Sequence, residues 1–295
     1  MQEVFSMSVS KYEIFLKVVE LGSVTRAAEQ LDYTQSGVSH AISGMEEEFG
    51  FPLLIRRRSG VQLTPDGEQV LPAIQNIVNS REQLHQIVSA IHGLNAGTVR
   101  IGAFTSVAVH WLPGMIKGFQ KLYPNVEFRL LNGDYYDVEQ WLSNGSIDLG
   151  FVNLPSPQEH PCIPLLEDRL LAVLPIDHPL ASKDRFPLEA LATEPFIGLL
   201  ESSDHDARRV MEKAGIRPNI KFTTKDDYAI IAMVEHGLGI SIMPELLLKG
   251  RTDKVRVMEL SEPMTRTIAL ATPEAAQNTP CVRHFTQYIR EYLSV

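Results

Sequence analysis

Apolar residues recur at helical spacing through the early part of the chain and in a strand-and-helix alternation through the rest. In Val24-Thr25-Arg26-Ala27-Ala28-Glu29-Gln30-Leu31, small alanines and a closing leucine make one compact apolar face, as a helix needs to approach another closely. Asp32-Tyr33-Thr34 interrupts it, and Thr34 is placed to cap a second helix over 35–49. Val38, Ile42, Met45 and Phe49 fall on one side of that helix, while Ser36, Ser39, His40 and Ser43 line another. Short hydrogen-bonding side chains near a helix start suit close approach to base edges and phosphates in a major groove. Residues 51–64 then read as two extended pieces around a turn at Ser59-Gly60, with Arg56, Arg57 and Arg58 on the first. Arginine forks pair with phosphate or enter a narrow minor groove, so this hairpin is expected to act as a wing beside the helix.

Thr64-Pro65-Asp66-Gly67 supplies a cap, a proline at the first helical position and an acid in the first turn. From Val70, the positions Ile74, Ile77, Arg81, Leu84, Val88 and Ile91 continue in steps of four and three, a heptad seam that ends before Gly93. Such a seam serves either to pair two copies of the helix, as in a dimer, or to pack the helix on its own domain. Arg81 interrupts the apolar series and is expected to help set register, and Pro72 to kink the first turns.

After a hinge at 93–97 the pattern becomes α/β. Strands are expected at 99–104, 125–131 and 147–152, with helices to Leu122 and over 135–143. A second set covers strands at 170–174, 196–199, 220–223 and 239–243, with helices from Asp204 and Asp226. A strand at 266–271 and a helix over 279–293 close the chain. Such repetition predicts parallel sheets covered by helices, with ligands bound beyond the carboxyl ends of the strands. Thr105 and Ser106 open one helix there, and Ser202 and Ser203 precede another. Hydroxyls and amides at helix starts favour an anion, so a small carboxylate is the expected ligand. Asn132 and Asn153, at the ends of neighbouring expected strands, join that candidate site, whereas Glu201 beside it would repel an anion.

Charge complicates the nucleic-acid reading. The chain carries a net −9, and residues 1–97 hold 7 Lys+Arg against 11 Asp+Glu. Basic character is confined to the arginine triplet, while Glu46-Glu47-Glu48 ends the second helix. Phosphate neutralisation dominates non-specific affinity, so two or more DNA-binding domains are expected to engage together. No apolar run reaches the length of about 20 residues needed to span a bilayer. The first residues lack a basic segment followed by an apolar core, so a cytoplasmic protein is expected. Cys162 and Cys281 form no Cys-x-x-Cys pair and are expected to be packed thiols. Gly-x-Ser-x-Gly, Gly-x-x-x-x-Gly-Lys, His-Glu-x-x-His and Gly-x-Gly-x-x-Gly are all absent, and Gly237-Leu238-Gly239 lacks the third glycine. His85 and His92 stand seven apart, too far for a one-turn metal pair. Neither catalysis nor a cofactor or metal is expected.

The segments Ser23 to Leu31, Thr34-Gln35-Ser36-Gly37-Val38-Ser39-His40-Ala41-Ile42 and Leu63-Thr64-Pro65-Asp66-Gly67 together resemble a LysR-type transcriptional regulator, and the likeness runs in order along the whole chain. It departs at His40, where the family usually has arginine, and at Asp66, where it usually has alanine. The resemblance implies a winged helix-turn-helix over 1–64, a linker and dimerisation helix over 65–94, and an effector domain over 95–295. It further implies two α/β subdomains, at about 98–165 with 268–295 and at about 166–267, joined by two crossing strands as in periplasmic solute-binding proteins. Gln35, Ser36 and Ser39 would then contact a double-stranded operator, a wing arginine would grip its backbone, and the protein would be a homodimer or homotetramer. The competing reading is a solute-binding or carrier protein with a helical N-terminal appendage, which leaves the paired helices, wing and arginines unexplained.

Overall fold

The computed structural model describes residues 11–57, 60–91, 97–156, 160–200 and 206–295. Two compact units emerge, one formed mainly by residues up to His85 and the other by most of the chain from Gln86 onward.

In the first unit, α1 (Lys11–Leu21), α2 (Val24–Gln30) and α3 (Gln35–Phe49) precede a hairpin of β1 (Leu54–Arg57) and β2 (Gly60–Leu63) and the start of α4 (Pro65–Ile91). Its core joins Phe15 and Val18 of α1, Ala27 and Ala28 of α2, Val38, Ile42 and Met45 of α3, Leu53, and Ile74 of α4. The alanines of α2 are fully covered, as the compact face requires. Asp32 turns the chain between α2 and α3 with φ 56°, and Gly50 ends α3 at φ 80°. A Cβ on Gly60 would meet the Gly22 carbonyl at 2.6 Å, so the hairpin rests directly on the α1–α2 turn, where Val61 N–H donates to that same carbonyl. The sequence pattern missed α1, which buries Ile14, Phe15 and Val18 in this core.

Helix α4 starts as expected, with the Gly67 amide donating to the Thr64 hydroxyl at 2.9 Å. It runs through Pro72 as one element. Arg81 does not act in an apolar seam alone: it forms an ion pair with Glu13 on α1. The seam positions Ile77 and Leu84 are 50% and 58% exposed, so one stripe of α4 presents apolar surface.

The second unit continues with β3 (Gly97–Ala103), α5 (Thr105–His110), α6 (Leu112–Leu122), β4 (Val126–Asn132), α7 (Tyr135–Ser143), β5 (Leu149–Leu154) and β6 (Cys162–Pro175). Then come β7 (Phe196–Leu199), α8 (Asp206–Ala214), β8 (Ile220–Thr224), α9 (Asp227–Glu235), β9 (Ser241–Pro244), α10 (Glu245–Leu248), β10 (Val255–Ala271), α11 (Glu274–Gln277) and α12 (Pro280–Leu293). The sheet order is β4-β3-β5-β10-β6-β9, with β7 and β8 as a separate parallel pair. The sheet is mixed, which corrects the expectation of purely parallel sheets: β10 is antiparallel to both β5 and β6. Strands β6 and β10 are the long pair that crosses the unit, and Arg266 on β10 lies opposite Asp168 on β6. The chain pattern had shown only parts of both strands, because their central residues alternate with charged and exposed positions rather than forming an apolar run.

Separate apolar clusters flank the crossing. One packs α5, α6 and α12 on β3, with Phe119 and Phe285 fully buried at its centre. Others gather Phe186, Phe196 and Val210, and Ile197, Ile231 and Val234. Cys281 is buried in the first cluster, and Cys162 is partly covered with its thiol donating to the His160 carbonyl. No described helix is long and apolar enough to cross a membrane.

Candidate functional site

Helix α3 is built as a capped helix with one dry side and one polar side. The Thr34 hydroxyl accepts from the Gly37 amide at 3.1 Å and lies 3.1 Å from the Ser36 hydroxyl. Gln35, Ser36, His40 and Ser43 are exposed, and Ser39 is half-buried. Arg56 and Arg57 project from β1 into solvent, and the Arg56 guanidinium donates to the Ser39 hydroxyl at 3.4 Å. Wing and helix therefore present one continuous hydrogen-bonding surface. Arg58 lies outside the described residues. Glu46 does not add to the acidic end of α3 as a solvated charge, since its carboxylate accepts the amides of Leu53 at 2.8 Å and Leu54 at 3.2 Å and anchors the wing. Glu48 is paired with Lys11.

A second site is a cavity of about 500 Å³ in the second unit. Thr105, Ser106 and Asn132 line it, as do Asp134, Tyr135, Asp206, Asp227 and Arg266. Asn153 reaches its edge by donating to Asp206 at 3.3 Å. The strands carrying Asn132 and Asn153 are not neighbours, because β3 runs between them. Ser202 and Ser203, with Glu201, lie outside the described residues.

Arg266 organises the cavity floor. Its side chain is 3% exposed, and its Nε and Nη2 donate to one oxygen of Asp168 at 2.9 and 2.7 Å. Nη2 also donates to the Ser106 hydroxyl at 2.7 Å, and Nη1 donates to the Tyr135 oxygen at 2.7 Å. The Tyr135 hydroxyl in turn donates to Asp206 at 2.8 Å, which also accepts from Arg209 at 2.8 Å. The guanidinium sits over the Phe104 ring, 4.9 Å from its centroid. Burial works against its charge, but Tyr135, Asp206 and Asp168 more than offset this and hold its pKa above the ordinary value. Burial drives the Tyr135 pKa well above the ordinary phenol value, so that hydroxyl stays a donor. Asp168 spends its other oxygen on the Leu246 amide at the start of α10.

The hydroxyls expected to meet a ligand thus already have partners. Ser106 is buried under Arg266, and the Thr105 hydroxyl bonds to Asp227. Burial raises the Asp227 carboxyl above the ordinary range, with the Thr105 bond and Arg266 opposing.

Residues 9–68 match the family model described as bacterial regulatory helix-turn-helix protein, lysR family, and residues 92–294 match the LysR substrate binding domain. The chain belongs to the LysR family of transcription regulators. It is 34% identical over 291 residues to the uncharacterized HTH-type transcriptional regulator YvbU of Bacillus subtilis, spanning 97% of this chain and 98% of that one. Among solved structures it is similar to HinK, a LysR family regulator from Pseudomonas aeruginosa, at TM-score 0.61 and 31% identity, covering 96% and 97% of the two chains. The effector binding domain of QuiR, in complex with shikimate, shares the fold at TM-score 0.60 and 24% identity, covering 68% of this chain and 98% of that one.

As a LysR regulator the chain is a DNA-binding protein with an effector-binding domain, not an enzyme. A carrier with an appendage does not account for a helix-turn-helix that itself matches the family. The sequence reading missed Tyr135, Asp206, Asp227 and Arg266, although each had a signal. Arg266 opens an expected strand, and the three others begin helices at the strand ends where ligands bind.

Proposed function

We propose that this LysR regulator reads a specific double-stranded operator through Thr34, Gln35, Ser36, Ser39, His40 and Ser43, with Arg56, Arg57 and Arg58 on the backbone. Residues 1–64 form the reading domain, 65–94 the linker, and 95–295 the effector domain. The exposed Ile77 and Leu84 on α4, seven residues apart, support pairing into a homodimer or homotetramer. The excess of acid in residues 1–97 makes such pairing the source of affinity. The protein works in the cytoplasm and uses no cofactor.

Control comes from a small polar effector held in the cavity between the two subdomains, which comprise about 98–165 with 268–295, and about 166–267. One observation carries this reading: Arg266 gathers Ser106 and Tyr135 from one subdomain and Asp206 from the other onto a single guanidinium at the crossing strands. A ligand entering there acts on both halves at once, shifting their relative population and with it the spacing of paired reading domains and the operator bend. The effector domain of QuiR, of the same fold, binds shikimate, a hydroxylated carboxylate. An acidic group on the effector of this protein has Lys225 to meet it among the described lining residues, because Arg266 is already paired.

The test is a thermal-shift screen of small metabolites on the full chain, followed by operator footprinting and bend measurement with each hit. A hit that changes the footprint or bend is expected. Identical footprints and bends at saturation would overturn effector control through this cavity.

A further inference from the structure

The charges around the cavity are lopsided. Four carboxylates line it, those of Asp134, Asp137, Asp206 and Asp227, against the two cations Lys225 and Arg266, counting described residues. Arg266 cannot answer a ligand anion without giving up Asp168, which holds it at 2.7 Å. Asp206 is bound by Tyr135, Arg209 and Asn153. Asp134 and Asp137 cap α7 reciprocally, each accepting the other's backbone amide at 2.9 and 3.0 Å.

Asp227 differs from these three. It stands in the first turn of α9, partly buried against the cavity, with the neutral Thr105 hydroxyl as its hydrogen-bond partner and no ion pair among the described residues. Arg266 attracts this carboxylate while Asp226 and Asp206 repel it, and because Arg266 is itself held by Asp168, Asp227 gains from a positive charge that pairs with it directly.

We propose that the effector carries a protonated amine and that Asp227 is the carboxylate with which this amine pairs. The assignment deepens the effector reading above and rests on it. Lys225, two residues before Asp227, also lines the cavity and can take an acidic group of the same ligand, so the proposal includes amino acids as well as simple amines. Because burial raises the Asp227 carboxyl, it takes up a proton at higher pH than an ordinary aspartate, and amine binding weakens as pH falls through that raised range.

Three probes of matched length separate the possibilities: putrescine, 4-aminobutyrate and succinate, each at about 10 mM with the full-length protein, read by thermal shift and by titration calorimetry. At least one amine-bearing probe is expected to raise Tm, and Asp227→Asn to weaken it by about 30-fold or more. Asp227→Glu, which keeps the charge, is expected to retain the response. Cooperative melting and operator binding of both variants control for folding. A response to succinate alone, or an amine response unchanged in Asp227→Asn, overturns the amine assignment and leaves effector control standing. Silence of all three probes also overturns it. An amine that raises Tm through Asp227 but leaves the operator footprint unaltered upholds the pairing and instead removes the effector reading.

Discussion

The polar face of α3 and the cavity of the second unit use polar residues in opposite ways. On α3 the polar side chains are short, exposed and close in sequence, and apart from the Arg56 contact to Ser39 and the local Thr34 cap they make few commitments within the protein. In the cavity the polar groups come from positions as far apart as Ser106 and Arg266, and they are buried and mutually bonded. A surface meant for DNA keeps its hydrogen-bonding capacity unspent, because a base edge or phosphate must supply the partner. A cavity in protein must satisfy its own groups, because an unpaired buried charge costs several kcal/mol. The difference teaches where substitutions will act: on recognition at the first site, on stability and coupling at the second.

The largest effect is expected from Arg266→Met. Removing the guanidinium leaves Asp168 buried without its counter-charge and should cost about 3–5 kcal/mol in the effector domain, measured by denaturant unfolding. Adding Asp168→Leu should restore much of that loss, since a buried pair replaced on both sides by apolar groups is often neutral. A cost below about 1 kcal/mol for the single change would place the pair among weakly coupled surface charges and erase the contrast.

Next, Ser39→Glu should abolish operator binding, by about 100-fold or more, because a carboxylate would face phosphates and pair with the Arg56 guanidinium that now donates to Ser39. Melting and effector binding should remain as in the parent. Loss of both activities would mean that α3 is a structural element rather than a reading face.

Smallest is Arg57→Gln. It should leave stability unchanged and lower the slope of log K against log salt by about 1, as expected for one phosphate contact. An unchanged slope across the titration would remove Arg57 from the interface.

How far the sequence revealed each region follows from the same contrast. The polar stripe of α3, the Thr34 cap and the start of α4 at Pro65 were all legible, because each is a pattern within a few residues. Helix α7 was legible to the residue at Tyr135 and Ser143. The expected single helix up to Leu122 is instead α5 and α6, broken at Trp111, whose buried ring packs against Phe151. Strand β10 was legible only from Arg266 onward, because its first half, with Glu259 and Glu262 among its residues, carries no apolar run. The role of Arg266 was invisible for a related reason: its partners Asp168, Tyr135 and Ser106 are 98, 131 and 160 residues away.

The sequence by itself determined the winged reading head, its capped helices, the long linker helix and an α/β domain, because periodicity, caps and turn residues act over one or two turns of chain. Only the tertiary structure decided that the hydroxyls of Thr105 and Ser106 serve Asp227 and Arg266, and that the described charged residues of the cavity wall are four aspartates against Lys225 and a spent guanidinium. Those facts depend on which distant strands cross, and the low dielectric of the site then makes their pairing obligatory.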